Sequence, residues 1–268
     1  MINYLAKSNI RKINNAMKRA ALSSSKILMK SYNSKKIDAK EKTKKEWVTE
    51  TDVAVEKIII KELLNDYPNS NFMAEESGIN ISNENELTWI IDPIDGTNNF
   101  ITKYPYFCIS IAAYFNEEII AGCIYNPLNN ELFMASKNLG STLNGKPYSV
   151  SEETKFSNLI YGTGFVISNP KSVRRNMKNL DKIIYNIKSF RRTGSAALDL
   201  ANASCGRQHG YWQLLLRPWD YAAGVVLVRE AGGIVTDIKG DKLTLDSDSL
   251  LASNNIKNHN KMIKILNS

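Results

Sequence analysis

Trp89-Ile90-Ile91-Asp92-Pro93-Ile94-Asp95-Gly96-Thr97-Asn98-Asn99-Phe100 is the stretch from which both the fold and the chemistry of this chain are read. Thr88 to Ile91 has the composition of a short buried strand, and it runs straight into an acidic turn. Strand-end loops are where a rigid sheet presents reactive groups. Pro93 fixes its own φ and Gly96 permits a tight turn. Two carboxylates this close repel unless a cation lies between them. A hard cation such as Mg²⁺ suits a site made only of oxygen. Backbone N–H groups after Gly96 and Thr97, at a helix start, suit a phosphate. The plainer alternative is an Asx-rich turn with capping aspartates.

Working outward, the spacing of Ile10, Ile13, Met17, Ala20, Ala21, Ile27 and Leu28 predicts a packed helix over residues 3–31, although Met1 to Lys30 also has the basic, acid-poor look of a targeting peptide. Ser34 to Glu46 reads as a lysine-rich loop. A second helix is expected over 51–66, with Asp52 near its start, Val55, Ile58, Ile59, Leu63 and Leu64 on its apolar face, and Pro68 beyond its end. Strands are expected at 107–115, 119–125, 132–135, 159–162 and 234–236, a hairpin turn at Asn144-Gly145, and helices at 171–187, 196–205 and 220–231. This mixed order predicts a layered α+β fold, divided near residue 145 into an N-terminal part, 1–145, and a C-terminal part, 146–268.

Composition sets limits. The chain has 268 residues, 43% of them hydrophobic and 23% charged, as in ordinary globular proteins. No apolar run approaches the ~20 residues that span a bilayer. Cys108, Cys123 and Cys205 are odd in number and lack CxxC spacing, so neither a disulfide framework nor a zinc site is expected. Small buried cysteines suit a reducing, cytoplasmic setting. Residues 1–46 carry 13 Lys/Arg against 3 Asp/Glu, enough to account for the whole net charge of +8. Such a segment steers anionic substrates or touches nucleic acid or an acidic partner, unless it is simply a solvated lysine-rich face.

Other chemistries fit poorly. Asp95-Gly96-Thr97 also ends the D-x-D-G-T motif of aspartyl-phosphate-forming phosphatases, but the nucleophile's position is occupied by Pro93. His209 and His259 accompany neither a nucleophile elbow nor a Cys-His signature. Gly162-Thr163-Gly164 lacks the third glycine of a dinucleotide fingerprint and reads as a strand-end turn. Without an activated side-chain nucleophile, a metal-activated water is the economical attacker.

Taken together, Ala74-Glu75-Glu76-Ser77, the Trp89–Phe100 run, Pro218-Trp219-Asp220-Tyr221-Ala222-Ala223-Gly224 and Glu230-Ala231-Gly232-Gly233 resemble the motifs of the inositol monophosphatase family, in order along nearly the whole chain. Thr51-Asp52 with Glu56, and Arg191-Arg192-Thr193-Gly194-Ser195-Ala196-Ala197, also fit. The resemblance implies the sugar-phosphatase architecture, with alternating α and β layers and two subdomains meeting at the site. It implies a lithium-sensitive, Mg²⁺-dependent hydrolase of small phosphate monoesters, commonly inositol 1-phosphate, working as a homodimer. By the same resemblance, Glu75, Asp92 and the Ile94 carbonyl would bind one Mg²⁺. Asp92, Asp95 and Asp220 would bind a second, with Glu75 sharing a weaker third. Thr97 with Asp52 would orient and deprotonate the water, and the Gly96 and Thr97 amides would hold the phosphate. Gly194, Ser195 and Ala196 would border the alcohol portion. Asp220 can equally be a helix N-cap.

One position departs from the pattern. Inositol-specific relatives carry an acid seven residues before the last aspartate, where this chain has Gln213. Gln213 either alters substrate choice or is a neutral exposed residue. Some bacterial members, the extragenic suppressor proteins, associate with the transcription machinery and ribosomal RNA synthesis. That alternative function stays open here, as do histidinol phosphate, fructose 1,6-bisphosphate and 3′-phosphoadenosine 5′-phosphate as substrates.

Overall fold

The computed structural model describes residues 4–43, 46–83 and 85–268. The chain begins with helix α1 (Lys7–Tyr32), strands β1 (Ala39–Thr43) and β2 (Glu46–Thr49), and helix α2 (Glu50–Asp66). It continues through β3 (Asn71–Ala74), β4 (Gly78–Asn80), β5 (Thr88–Asp95) and the short helix α3 (Thr97–Ile101). A meander follows: β6 (Cys108–Phe115), β7 (Glu118–Asn126), β8 (Glu131–Ser136), β9 (Gly140–Leu143) and β10 (Lys146–Tyr148). The remainder alternates β11 (Ile160–Thr163), α4 (Pro170–Ile184), β12 (Ser189–Arg191), α5 (Ala196–Ser204), β13 (Gly210–Leu214) and α6 (Pro218–Glu230). It ends with β14 (Ile234–Thr236), β15 (Ser249–Ser253) and α7 (Ile256–Leu266).

Two sheets and three helical layers alternate. The larger sheet has eight strands in the order β10-β9-β8-β7-β6-β5-β3-β4, and the smaller has five in the order β12-β11-β13-β15-β14. On one face of the larger sheet, Ile13, Met17 and Leu28 of α1 and Val55 and Ile59 of α2 pack on Trp89, Ile91, Ile109 and Ile111. On its other face, Ile90, Cys108, Ala112, Ile124 and Phe133 meet Ala197 and Ala201 of α5 and Ala223 and Val226 of α6. The far sides of those same helices, Leu200 and Val225, pack on Tyr211, Leu250 and Ala252 of the smaller sheet. Trp212 and Leu251 on that sheet's outer face meet Leu180 and Ile183 of α4 and Met262 of α7. The layers therefore run α-β-α-β-α, as expected of the sugar-phosphatase architecture.

Several elements differ from the sequence reading. The 34–46 segment is not a plain loop, because β1 and β2 pair as an antiparallel hairpin; Lys44 and Lys45, part of that expected loop, lie outside the described residues, as does Asn3, the first residue of the expected first helix. Ile27 is 40% exposed, since it stands one residue, and so ~100° of helix rotation, from buried Leu28. The Asn144-Gly145 turn has both residues at positive φ (51° and 79°) and joins β9 to β10, so the larger sheet continues to Tyr148. Cys108 and Cys123 are buried, while Cys205 is half-buried; all three are free thiols.

Candidate active site

The geometry starts from an irregularity in β5. Side chains alternate along a strand, so residues 92 and 95 of a regular strand face opposite sides. Asp92 pairs with Ser110 and Asp95 with Cys108, so three steps on β5 span two on β6. This bulge lies at Pro93-Ile94, where proline withholds a ladder N–H. Its consequence is that both aspartates point toward the face covered by α5 and α6.

Neighbouring elements bring the other acids. Strand β3 runs parallel to β5, and the Glu75 N–H at its end bonds the Ile91 carbonyl at 3.1 Å, which places Glu75 beside Asp92. The two carboxyl groups are close enough to share a hydrogen bond. Asp220 enters on the first turn of α6, after Pro218 at the helix start. It is not the N-cap: Arg217 takes that place, and Asp220 accepts the Arg217 N–H at 2.7 Å from inside the helix. Asp52 lies on the first turn of α2, where Thr49 caps the helix and gives the Asp52 carboxylate its N–H at 2.8 Å and its hydroxyl at 2.5 Å. The other carboxylate oxygen faces Thr97, whose Oγ1 is 3.3 Å from Asp52 Oδ1 and 3.0 Å from the Ile94 carbonyl.

Gly96 turns the chain between the bulge and α3. Its φ is +100°, and an added Cβ would stand 3.0 Å from the Tyr106 carbonyl and 3.2 Å from Phe107 Cβ, so only glycine fits. Across the site, the N-terminus of α5 meets Asp95. The Ser195 hydroxyl donates to Asp95 at 2.5 Å, the Ala197 N–H at 2.7 Å and the Ala196 N–H at 3.3 Å. Asn99 of α3 donates to the Thr193 carbonyl at 2.9 Å and lies against Gly194, which ties the Gly194–Ala196 segment to the acidic turn.

Electrostatics mark the same place. Burial, then repulsion from Asp220 and Glu76, pushes the Glu75 carboxyl up to about 8. Asp92 is raised well above the usual carboxylate range by burial and then by Glu75, Asp95 and Asp220. Burial lifts Asp95 to about 6 against the pull of Ser195 and the α5 amides, and lifts Asp52 to about 6 as well. Among the described residues no three His, Cys, Asp or Glu side chains stand as a finished metal-ligand group, and Asp95 and Asp220 instead accept the N–H donors described above. An all-oxygen set of mutually repelling carboxylates nevertheless matches a hard divalent cation in donor chemistry.

A cavity of about 670 Å³ opens onto Glu75 and Asp220, walled by Lys42, Trp47, Arg217 and Trp219. Lys42 and Trp47 lie on the unforeseen β1–β2 hairpin; Lys42 Nζ donates to the Glu75 carbonyl at 3.0 Å and to Glu76 at 2.7 Å. Gln213 is not exposed: it is buried on β13 and accepts the Tyr211 hydroxyl. Asp199 was also unforeseen. It is buried on α5 and accepts bonds from Thr193 Oγ1 (2.5 Å), Tyr106 Oη (2.8 Å) and Gln208 Nε2 (2.9 Å). A lone acid among the apolar residues of that helix was the available signal.

Known proteins resemble this chain along most of its length. Residues 9–268 match the inositol monophosphatase family. An inositol monophosphatase of Dictyostelium discoideum is 41% identical over 247 residues, 90% of this chain and 89% of that protein. The protein called Nus factor SuhB in Salmonella typhimurium is 37% identical over 237 residues, 88% of this chain and 89% of its own. The crystal structure of extragenic suppressor protein suhB from Bartonella henselae superposes with a TM-score of 0.89 at 34% identity, covering 94% of this chain and 97% of that one. The chain belongs to the inositol monophosphatase family, a family of phosphate-ester hydrolases.

Proposed function

We propose that this chain is a Mg²⁺-dependent phosphatase of small phosphate monoesters, inositol 1-phosphate being the first substrate to test. The observation that carries the reading is the bulge at Pro93-Ile94, which turns Asp92 and Asp95 to one face beside Glu75 and Asp220. Glu75, Asp92 and the Ile94 carbonyl would hold one Mg²⁺, and Asp92, Asp95 and Asp220 a second, with Glu75 shared by a weaker third. Such cations supply Lewis-acid stabilisation of the charge that develops on the ester oxygens. The chain's own groups do the rest. The Gly96 and Thr97 amides bind the phosphate, and Gly194, Ser195 and Ala196 border the alcohol. Thr97 Oγ1, anchored on Asp52, orients the attacking water and takes its proton while its own hydroxyl hydrogen passes to the Asp52 carboxylate, which burial makes more basic than an ordinary aspartate.

Phosphate release from inositol 1-phosphate should require Mg²⁺, stop with chelator and fall with Li⁺. Asp95→Asn should abolish most of it, since an amide cannot supply the charge that holds adjacent cations. Mg²⁺ should also raise the melting temperature of the unaltered protein and do so less for Asp95→Asn. Full turnover by Asp95→Asn in metal-controlled buffer overturns the assignment.

A second reading rests on a different surface. Lys7, Arg11, Lys12, Lys18, Lys26 and Lys30 are all exposed on α1, a face suited to RNA or an acidic protein of the transcription machinery. A pull-down with Asp95→Asn protein at low and moderate salt separates binding from catalysis. Partners lost steeply with salt support this reading, and none at low salt removes it.

A further inference from the structure

Helix α2 buries two acids one turn apart. Asp52 and Glu56 are four residues apart and so lie on one face of the helix. Asp52 meets Thr97, as described above. Glu56 reaches instead to the turn between β3 and β4. Its Oε2 accepts the Glu76 N–H at 2.9 Å and its Oε1 accepts the Ser77 N–H at 2.8 Å. Each oxygen of this buried anion therefore holds one of two successive backbone donors, which compensates the loss of water around the charge.

Those donors directly follow Glu75. The Glu75 N–H is held by the Ile91 carbonyl at 3.1 Å, the Glu75 carbonyl accepts Lys42 Nζ at 3.0 Å, and the next two N–H groups are on Glu56. The chain then turns back at once, since Ala74 pairs with Gly78, whose φ is +80°. The peptide groups on both sides of Glu75 are thus fixed. Asp220 and Glu76 repel the Glu75 carboxylate, and Glu75 in turn repels Asp92. A loose turn would relieve that repulsion by swinging Glu75 away. A turn tied to α2 keeps the carboxylate beside Asp92, where a cation can bridge the two.

We infer that Glu56 is a positioning residue for the metal site: it fixes Glu75 against Asp92 from the same helical turn that holds Thr97 through Asp52. One rigid element then sets both the cation and the group that orients the water. This rests on the Mg²⁺ reading proposed above.

The test uses the full chain. In Glu56→Gln one acceptor oxygen remains, and an amide N–H group confronts a backbone N–H. The Mg²⁺ concentration that half-saturates the rise in melting temperature should increase about 10–100-fold, the scale for losing a group that orients a metal ligand. The Mg²⁺ midpoint of phosphate release from inositol 1-phosphate should move with it. At saturating Mg²⁺ the KM for the ester should change little and most of kcat should return. Ile59→Ala, buried on the same helix, should lower the melting temperature without moving the Mg²⁺ midpoint, so simple loss of packing is distinguished. Glu56→Asp keeps the charge but withdraws it by one methylene. It should move the midpoint in the same direction, and it carries the test if Glu56→Gln does not fold. In the metal-free unaltered protein, the Glu76 and Ser77 amides should be protected from hydrogen exchange. An unmoved Mg²⁺ midpoint in the Glu56 variants, an equal movement in Ile59→Ala, or fast exchange at both amides overturns the inference and leaves the metal reading standing. No effect of Mg²⁺ on the melting temperature or activity of the unaltered protein refutes the metal reading and the inference with it.

Discussion

Replacing Gly122 with alanine tests whether the middle helical layer is seated as tightly as the site requires. Gly122 lies on β7 directly under α6, and a Cβ there would meet Val226 Cγ1 at 2.6 Å, the Ala223 carbonyl at 2.7 Å and Ala223 Cα at 2.9 Å. Optimal carbon contacts lie at about 3.5–4.0 Å, so α6 must move outward by roughly 0.5–1 Å. Two of the three obstructing atoms belong to helix backbone and cannot rotate away. Overpacking of this kind costs about 1–3 kcal/mol, offset by about 0.4–1 kcal/mol because alanine restricts the unfolded chain. A net loss of ~1–2 kcal/mol should lower a urea midpoint by roughly 0.3–0.7 M at an m-value near ~3 kcal/mol/M. Because α6 carries Asp220 in its first turn, phosphatase activity measured far below the transition should fall by about 10²-fold, the scale of a 1 Å misplacement. Adding Val226→Ala should recover only part of the stability, since the Ala223 carbonyl remains in the way. A Gly122→Ala protein with unchanged midpoint and unchanged kcat would refute both the rigidity and its link to the site.

Other outcomes follow from contacts already described. Thr97→Ala should lower kcat by about 10²–10⁴ with little change in KM, as expected when an interaction made in the transition state is lost; an unchanged kcat places water activation elsewhere. Ser195→Ala removes both a donor to Asp95 and the acceptor that caps Leu198 N–H, so it should cost roughly 2–3 kcal/mol in urea unfolding, with Ser195→Thr largely restoring it. His259 is buried between Ser253 Oγ (3.2 Å) and Thr236 Oγ1 (3.0 Å), and burial lowers its pKa to about 4. The unfolded chain, titrating near ~6.5, then binds the proton first, so stability should be level above that pH and decline by roughly 2–3 kcal/mol as pH falls toward 4. His259→Gln should flatten that part of the pH profile, and identical slopes in the two proteins would exclude His259 as its source.

Local patterns in the sequence carried much of the fold. The apolar spacing of α1 and α2, the strand-turn-helix at Trp89–Phe100 and the Asn144-Gly145 turn all depend on neighbours within a few residues. The β1–β2 hairpin was hidden because Lys40, Glu41 and Lys42 show no apolar alternation, and its two strands pair only with each other. Strands β4 and β12 are three residues each, too short for a periodic signal. Asp92 and Asp95 stood out as a pair, but their shared face depends on register with β6. The grip of α5 on Asp95 joins residues about a hundred positions apart, separated by 100 for Ser195 and 102 for Ala197, and no local pattern encodes it. Gln213 read as an exposed alternative because glutamine is usually at the surface, whereas its burial depends on the missing Cβ of Gly164.

The middle layer of α5 and α6 has a bearing on how this protein can be divided. The face of the larger sheet that holds Ile90, Ala112, Ile124 and Phe133 is made before residue 149, yet the alanine-rich helices that cover it come from the last third of the chain. A fragment ending at Tyr148 would expose that apolar face to water, and the complementary fragment would expose Ala197, Ala201, Ala223 and Val226. Neither piece should be an autonomous folding unit. Denaturation of the intact protein should therefore follow one cooperative transition with coincident fluorescence and circular dichroism curves. Gene truncations near residue 148 should yield insoluble products, whereas co-expression of the two pieces should rescue solubility by letting each supply the other's missing surface.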